Sequence, residues 1–236
     1  PGAGGWGRVR LFALRAEELA ALGLPVPPPL ELHRLIEVLK PTIMIGTTGQ
    51  PGDFTPAVIN AMAKSCDRPM IFPLSNPTSK AECTPSEALL HSDGRALVAT
   101  GSAFDPVTCN GVKHVIGQCN NVFVFPGIGL GVLISEASRV TDSMFLAAAR
   151  ALAGFTRSHS TEDGCLYPSL QYLREVSRLI ALKVAQTARD EGCGRSLEDG
   201  PLQAAIDEFC WWPEYETYAQ VAAPQPPRHE EPIETM

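Results

Sequence analysis

The chain has 236 residues, enough for one large domain with a buried core. Hydrophobic residues make up 44% and charged residues 19%, a globular rather than a disordered composition. The formal net charge of −7 argues against nucleic acid or an anionic membrane as the main partner. It leaves room for an anionic small substrate, because a local site can be positive on an acidic protein. The seven cysteines include no C-x-x-C pair and are odd in number. Neither a zinc site nor a disulfide framework is expected, and a reducing, intracellular setting fits best. No run of 18 apolar residues is present, so no transmembrane helix is expected. The opening Pro1-Gly-Ala-Gly-Gly-Trp6 lacks the marks of a signal peptide, and the missing Met is read as a chain that starts inside something larger.

In chain order, residues 1–30 read as a divergent lead-in closed by a Pro-rich linker, Pro25 to Pro29. Leu32, Leu35, Ile36 and Leu39 are spaced for one face of a short helix that Pro41 ends. Thr42-Ile-Met-Ile45 suits a buried strand, followed by the loop Gly46-Thr-Thr-Gly49-Gln-Pro-Gly52. Thr55-Pro56 marks a helix start, with Val58, Ile59, Met62 and Ala63 as its buried face. Pro69 to Leu74 is a second strand, with Ser75-Asn-Pro-Thr-Ser79 as its loop. Thr84-Pro-Ser-Glu87 has capping-box form and opens another helix. Ala96 to Ala99 is a third strand, ended by Thr100-Gly-Ser102, and Asn110-Gly111 signals a small hairpin. Phe123 to Ile134 is apolar and Gly-rich. Helices are expected from Thr141-Asp142 through Ala153 and from Leu170 to Ala188. Beyond residue 191 a looser chain is expected, anchored by Cys210-Trp-Trp-Pro213, with a mobile tail from Pro224.

Strands alternating with helices imply an α/β fold, a Rossmann-like parallel sheet with helices on both faces. In such sheets ligands sit at the carboxyl ends of the strands, where the three flagged loops lie. Gly46–Gly52 reads equally well as a ligand loop, with glycines and free amides near a helix start, or as a plain connection that needs positive φ. Pro77 restricts Asn76 to an extended conformation, so its amide can be aimed at a carboxylate or carboxamide; the alternative is an Asx-type turn. Asn120 and Asn121, beside an apolar run, need partners or a ligand, unless they serve as caps. Gly2-Ala-Gly4-Gly-Trp-Gly7 matches G-x-G-x-x-G by letter, but no strand precedes it and no clean amphipathic helix follows, so it is set aside. The five histidines are scattered without metal-ligand spacing. No general base or metal cluster can be named from residue types alone.

Several strings nevertheless stand in a familiar order: Lys40–Gly46, Gly52–Thr55, Arg68–Phe72, Leu74–Cys83, Gly94–Ala96, Ala99–Ser102, Phe104–Val107, Gly117–Asn121 and Val124–Gly127, then Leu166–Leu170 and Trp212–Glu214. Together they resemble the NAD(P)-binding domain of malic enzymes, over roughly residues 31–190, with 191–236 as an extension and mobile tail. The resemblance implies oxidative decarboxylation of malate to pyruvate and CO₂, with NAD or NADP and with Mg²⁺ or Mn²⁺ as Lewis acid. It makes Asn76, Asn120 and Asn121 substrate-binding, and Gly46, Thr47, Thr48, Gly49, Ser75, Asn76 and Asn120 cofactor-binding. The family's catalytic Tyr and Lys, malate-binding Arg, metal ligands and phosphate turn lie upstream of this segment. The sheet is therefore expected to be incomplete at its N-terminal half, and the isolated chain to be inactive and prone to self-association. The family also implies a homo-oligomer, dimer or tetramer, in the cytoplasm or mitochondrion. A non-catalytic, malic-enzyme-like binding or interaction protein is the alternative; an unrelated dehydrogenase cofactor domain is disfavoured by the long matching strings.

Overall fold

The computed structural model describes residues 15–21, 23, 31–159 and 165–213. The Gly2–Gly7 string, the Pro-rich linker and the mobile tail all lie outside these residues. After a short exposed helix α1 (Ala16–Ala21) comes α2 (Leu32–Leu39), of which only Ile36 is buried; Leu32 and Leu39, expected on its inner face, are exposed. A strand–helix alternation follows: β1 (Ile43–Gly46), α3 (Pro56–Ser65), β2 (Met70–Pro73), α4 (Pro85–Leu90) and β3 (Leu97–Thr100). The antiparallel hairpin β4 (Val107–Cys109) and β5 (Val112–His114) leads into β6 (Gly117–Gln118). The main sheet runs in the order β1-β2-β3-β6, every pair parallel.

Local chemistry explains these boundaries. Thr55 caps α3 by accepting the Val58 amide, with Pro56 at the first helical position, where its missing N–H costs nothing. Thr84 and Glu87 close a full capping box at the start of α4. Asn110 and Gly111 take φ of 50° and 76°, the paired positive values that a tight two-residue hairpin turn needs. Met44, Ile71 and Val98 stand opposite one another in the register and form a buried row. With Ile36, Val58, Ile59, Met62 and Leu89 they make one continuous core against α2, α3 and α4. The expectation that the first strand is fully buried is corrected: Ile43 and Ile45 are 49% and 60% exposed. Adjacent strand residues point to opposite faces, β1 sits at the sheet edge, and helical cover reaches only one of its faces among the described residues.

The rest of the described chain is helical: α5 (Phe125–Ser135), α6 (Asp142–His159), α7 (Leu173–Asp190) and α8 (Asp199–Phe209). The apolar, Gly-rich run forms α5 because its glycines are contact points. A Cβ on Gly127 would lie 2.7 Å from Ile180, and one on Gly131 would lie 2.6 Å from the Ala181 carbonyl of α7. Helix α6 continues past Ala153 to His159 because Phe155 and Thr156 are buried under it. The expectation of a loose chain from residue 191 is also corrected. Leu202 and Ile206 of α8 are fully buried with Ile134, Ala181 and Ala185, a period-of-four stripe on a helix that the Asp199-Gly-Pro start disguises in sequence.

Candidate functional site at the carboxyl ends of the strands

Because every pair in the main sheet is parallel, the chain leaves all four strands on the same side of the molecule. The ladder persists to that side: Leu74 donates to the Gly46 carbonyl at 3.0 Å, Gly101 to Pro73 at 3.3 Å, and Cys119 to Thr100 at 2.8 Å. The four exits are thus clamped side by side.

The first two are joined by a residue that motif reading missed, Glu82. Its side chain is fully buried. Oε1 accepts from the Thr48 amide at 2.7 Å, from the Thr48 hydroxyl at 3.2 Å and from the Ser75 hydroxyl, while Oε2 accepts from the Ser75 amide at 3.4 Å. The Ser75 oxygen in turn accepts from the Gly49 amide at 2.9 Å. The Glu82 carbonyl receives the amides of Gly52 and Phe54 at 3.0 and 3.1 Å. Burial pushes the Glu82 carboxyl up, but the Ser75 hydroxyl, its own backbone amide and the amides of Thr48 and Ser75 outweigh burial and hold it below the usual carboxylate range. The group is therefore a buried carboxylate paired with hydrogen-bond donors instead of a cation.

This network brings Gly46, Thr48, Gly49 and Ser75 together and leaves Thr47 exposed. Gly46 has no room for a side chain, since a Cβ would meet Glu82 and Phe54 at 2.7 Å. Gly49 has φ of 67°, the left-handed value that glycine tolerates. The amides of Thr48 and Gly49 are already taken by Glu82 and Ser75, so this loop presents a rigid surface to a ligand instead of two free donors.

The structure gathers the three asparagines around one cleft of about 600 Å³. Asn76 donates to the Leu74 carbonyl at 3.3 Å and accepts at Oδ1 from the Ser102 hydroxyl. Asn120 uses Oδ1 to accept the Val122 amide at 2.9 Å, capping the 3₁₀ turn Asn121–Phe123. The capping role considered for Asn120 is real, yet it consumes only the oxygen; the NH₂ group remains. Asn121 is exposed at the start of that turn. Cys119 and Tyr167 line the same cleft with Sγ and Oη 2.9 Å apart, and burial, reinforced by that contact, pushes the Tyr167 phenol up and keeps it neutral. Among the described residues no charged side chain lines the cleft. The Glu82 cluster and the cleft meet at the consecutive residues Ser75 and Asn76.

Two residues received no role from sequence reasoning: Tyr167 of the cleft wall and Ser102, the partner of Asn76. Tyr167 is brought in from the segment before α7, and Ser102 belongs to the loop at the end of the third strand. Cys83, behind Glu82, is buried, and its thiol is pushed up to about 12 by burial and by the carboxylates of Glu87 and Glu82, which disfavours the thiolate. Among the described residues no group of three or more His, Cys, Asp or Glu side chains is placed to hold a metal ion. No described helix is long and apolar enough to cross a membrane.

The family profile for the malic enzyme NAD-binding domain matches residues 10–189. The chain belongs to the malic enzyme family. It is 48% identical over 198 residues to the NAD-dependent malic enzyme of Aeromonas salmonicida, an alignment that covers 84% of this chain and 35% of that protein. It is 42% identical over 212 residues to the NAD-dependent malic enzyme of Acinetobacter baylyi, covering 90% of this chain and 37% of that protein. Among solved structures, the Pyrococcus horikoshii malic enzyme superposes with a TM-score of 0.57 at 31% identity, covering 72% of this chain and 36% of the other. The Entamoeba histolytica malic enzyme does so with 0.57 at 27%, covering 71% and 31%. The chain therefore spans about a third of the length of these malic enzymes, and its Rossmann-like parallel sheet is that of their NAD-binding domain.

Proposed function

We propose that this chain forms the cofactor- and substrate-facing wall of a malic enzyme that oxidises malate and decarboxylates the product to pyruvate and CO₂. The observation that carries the reading is the convergence of Asn76, Asn120 and Asn121 on one cleft, uncharged among the described residues, at the carboxyl ends of a parallel sheet. NAD⁺ or NADP⁺, when bound, supplies the hydride acceptor. Gly46, Thr47, Thr48, Gly49 and Ser75 form the surface along which the cofactor lies, with Glu82 keeping that surface rigid. The amides of Asn76 and Asn120 orient the nicotinamide end, and Asn76, Asn120 and Asn121 orient malate by directed hydrogen bonds rather than by charge. The apolar lining from Leu74, Val124 and Leu152 limits water beside them.

Following the family resemblance, the ligands of Mg²⁺ or Mn²⁺, the general acid and the general base are assigned to protein outside this chain; among the described residues no group of three or more His, Cys, Asp or Glu is placed to hold such an ion. In this reading the isolated chain does not turn over malate, and the working protein is a homo-oligomer, dimer or tetramer, in the cytoplasm or mitochondrion. The test is the intact mass of the native protein, captured through an antibody to this segment, together with its malate-dependent reduction of NAD⁺. A mass of at least twice 25.3 kDa, with pyruvate formed, is expected. A native protein of 25.3 kDa that binds NAD⁺ without consuming malate would leave the non-catalytic binding module instead.

A further inference from the structure

We propose that Ser102 is a positioning residue for Asn76, one that fixes which end of the Asn76 amide faces the cleft; this rests on the ligand-binding role given to Asn76 above. The two ends of a carboxamide are nearly alike in shape and opposite in hydrogen-bond character, so only their partners decide the sense in which the group presents itself. At Asn76 both partners agree. The Leu74 carbonyl can only accept, so it takes one N–H of Asn76 at 3.3 Å. The Ser102 hydroxyl donates to Oδ1.

The backbone that carries Ser102 is itself held in place from three sides. Thr100 Oγ1 donates to the Ser102 carbonyl at 2.8 Å. Gln118 Nε2 donates to the Gly101 carbonyl at 3.1 Å, tying the loop to β6. A Cβ at Gly101 would lie 2.2 Å from the Leu74 carbonyl oxygen, so only glycine lets this loop approach the second strand exit closely enough for Ser102 to reach Asn76. The Ala99-Thr-Gly-Ser102 string thus has a task at each of its last three positions.

The consequence is chemical. With Oδ1 satisfied by Ser102 and one N–H spent on Leu74, Asn76 offers the cleft a single N–H donor. Asn120 presents the same kind of group, since its Oδ1 accepts the Val122 amide and its NH₂ remains. Both amides therefore present donors, and the ligand atoms that fit are acceptors, a carbonyl or carboxylate oxygen. Ser102 contributes without touching the ligand.

The experiment compares wild type, Ser102→Ala, Ser102→Thr and Asn76→Ala in the 236-residue chain. It follows the Asn76 side-chain amide by ¹H–¹⁵N NMR relaxation and NAD⁺ binding by calorimetric titration. Ser102→Ala is expected to mobilise the Asn76 amide and to weaken NAD⁺ binding by roughly three- to tenfold, the effect of one lost hydrogen bond. Ser102→Thr, which keeps the hydroxyl, is expected to restore both. An Asn76 amide as ordered in Ser102→Ala as in wild type would overturn the proposal. So would equal losses in Ser102→Ala and Ser102→Thr, which would mark Ser102 as a packing residue. Unchanged NAD⁺ affinity in Asn76→Ala would instead overturn the functional reading of the cleft, and the amide signal would still decide the role of Ser102.

Discussion

The sheet region (residues 43–118) and the helical region behind it (residues 125–209) achieve close approach by different means. In the sheet, two loops are drawn together by a buried carboxylate, Glu82, whose oxygens collect the amides and hydroxyls of Thr48 and Ser75. In the helical region, α5 and α7 are drawn together by the absence of side chains at Gly127 and Gly131. A hydrogen-bonded clamp fixes direction as well as distance, which suits loops that present groups to a ligand. A glycine contact fixes distance alone, which suffices for a supporting layer. Substitutions can separate the two devices, because the first depends on pH and the second does not.

The largest effect is expected at the glycine contact. Gly131→Val would place side-chain atoms where a Cβ alone already comes within 2.6 Å of the Ala181 carbonyl. Overpacking of this kind is expected to cost about 3 kcal/mol or more, read from urea unfolding. Next comes Ile206→Ala, at about 3 kcal/mol, because it empties a fully buried site between α8 and the core. A loss below about 0.5 kcal/mol would return α8 to the loosely attached extension that composition suggests.

Glu82→Gln follows, at about 2 kcal/mol, since one acceptor oxygen becomes a donor facing donors. This loss must depend on pH. The folded-state value of Glu82 lies below its ordinary value of 4.5, so the carboxylate's contribution is fully present above 4.5 and disappears as pH falls through the lowered folded value. The stability gap between wild type and Glu82→Gln should therefore be constant near neutrality and close under acid. A gap that stayed open at low pH would mean that Glu82 acts through shape alone. The smallest effect has the opposite sign. A Cβ on Gly129, in the same helix as Gly131, would meet nothing within 4 Å. Gly129→Ala is thus expected to stabilise by about 0.5–1 kcal/mol through helix propensity, and its melting temperature should rise while that of Gly131→Val falls.

Much of the sheet was legible because its signals are local. Thr55-Pro56, the Thr84 to Glu87 box and Asn110-Gly111 each fix a boundary through atoms a few residues apart, and each stands where its pattern placed it. The candidate loops were legible for a related reason, since parallel strands put their exits on one side. The helical character of Phe125–Ser135 was hidden because glycine is a poor helix former in isolation, and only contact with α7 makes it the right residue. Ile43 and Ile45 read as core because apolarity does not reveal which face of an edge strand is covered. Glu82 and Ser102 could not be singled out, because Glu82 reaches Thr48 and Ser102 reaches Asn76 across 34 and 26 residues of sequence. Their strings carried the family resemblance, but a string does not say which of its residues faces the ligand and which one holds it in place.

The central claim is that the ligand cleft lies at the carboxyl ends of the strands, and the most direct test is a residue-resolved NMR titration of the ¹⁵N-labelled chain with NAD⁺. The account predicts amide shifts concentrated at residues 46–49, 75–76, 101–102 and 119–121. Saturable binding with shifts confined to the hairpin around Asn110 and Gly111 would contradict it.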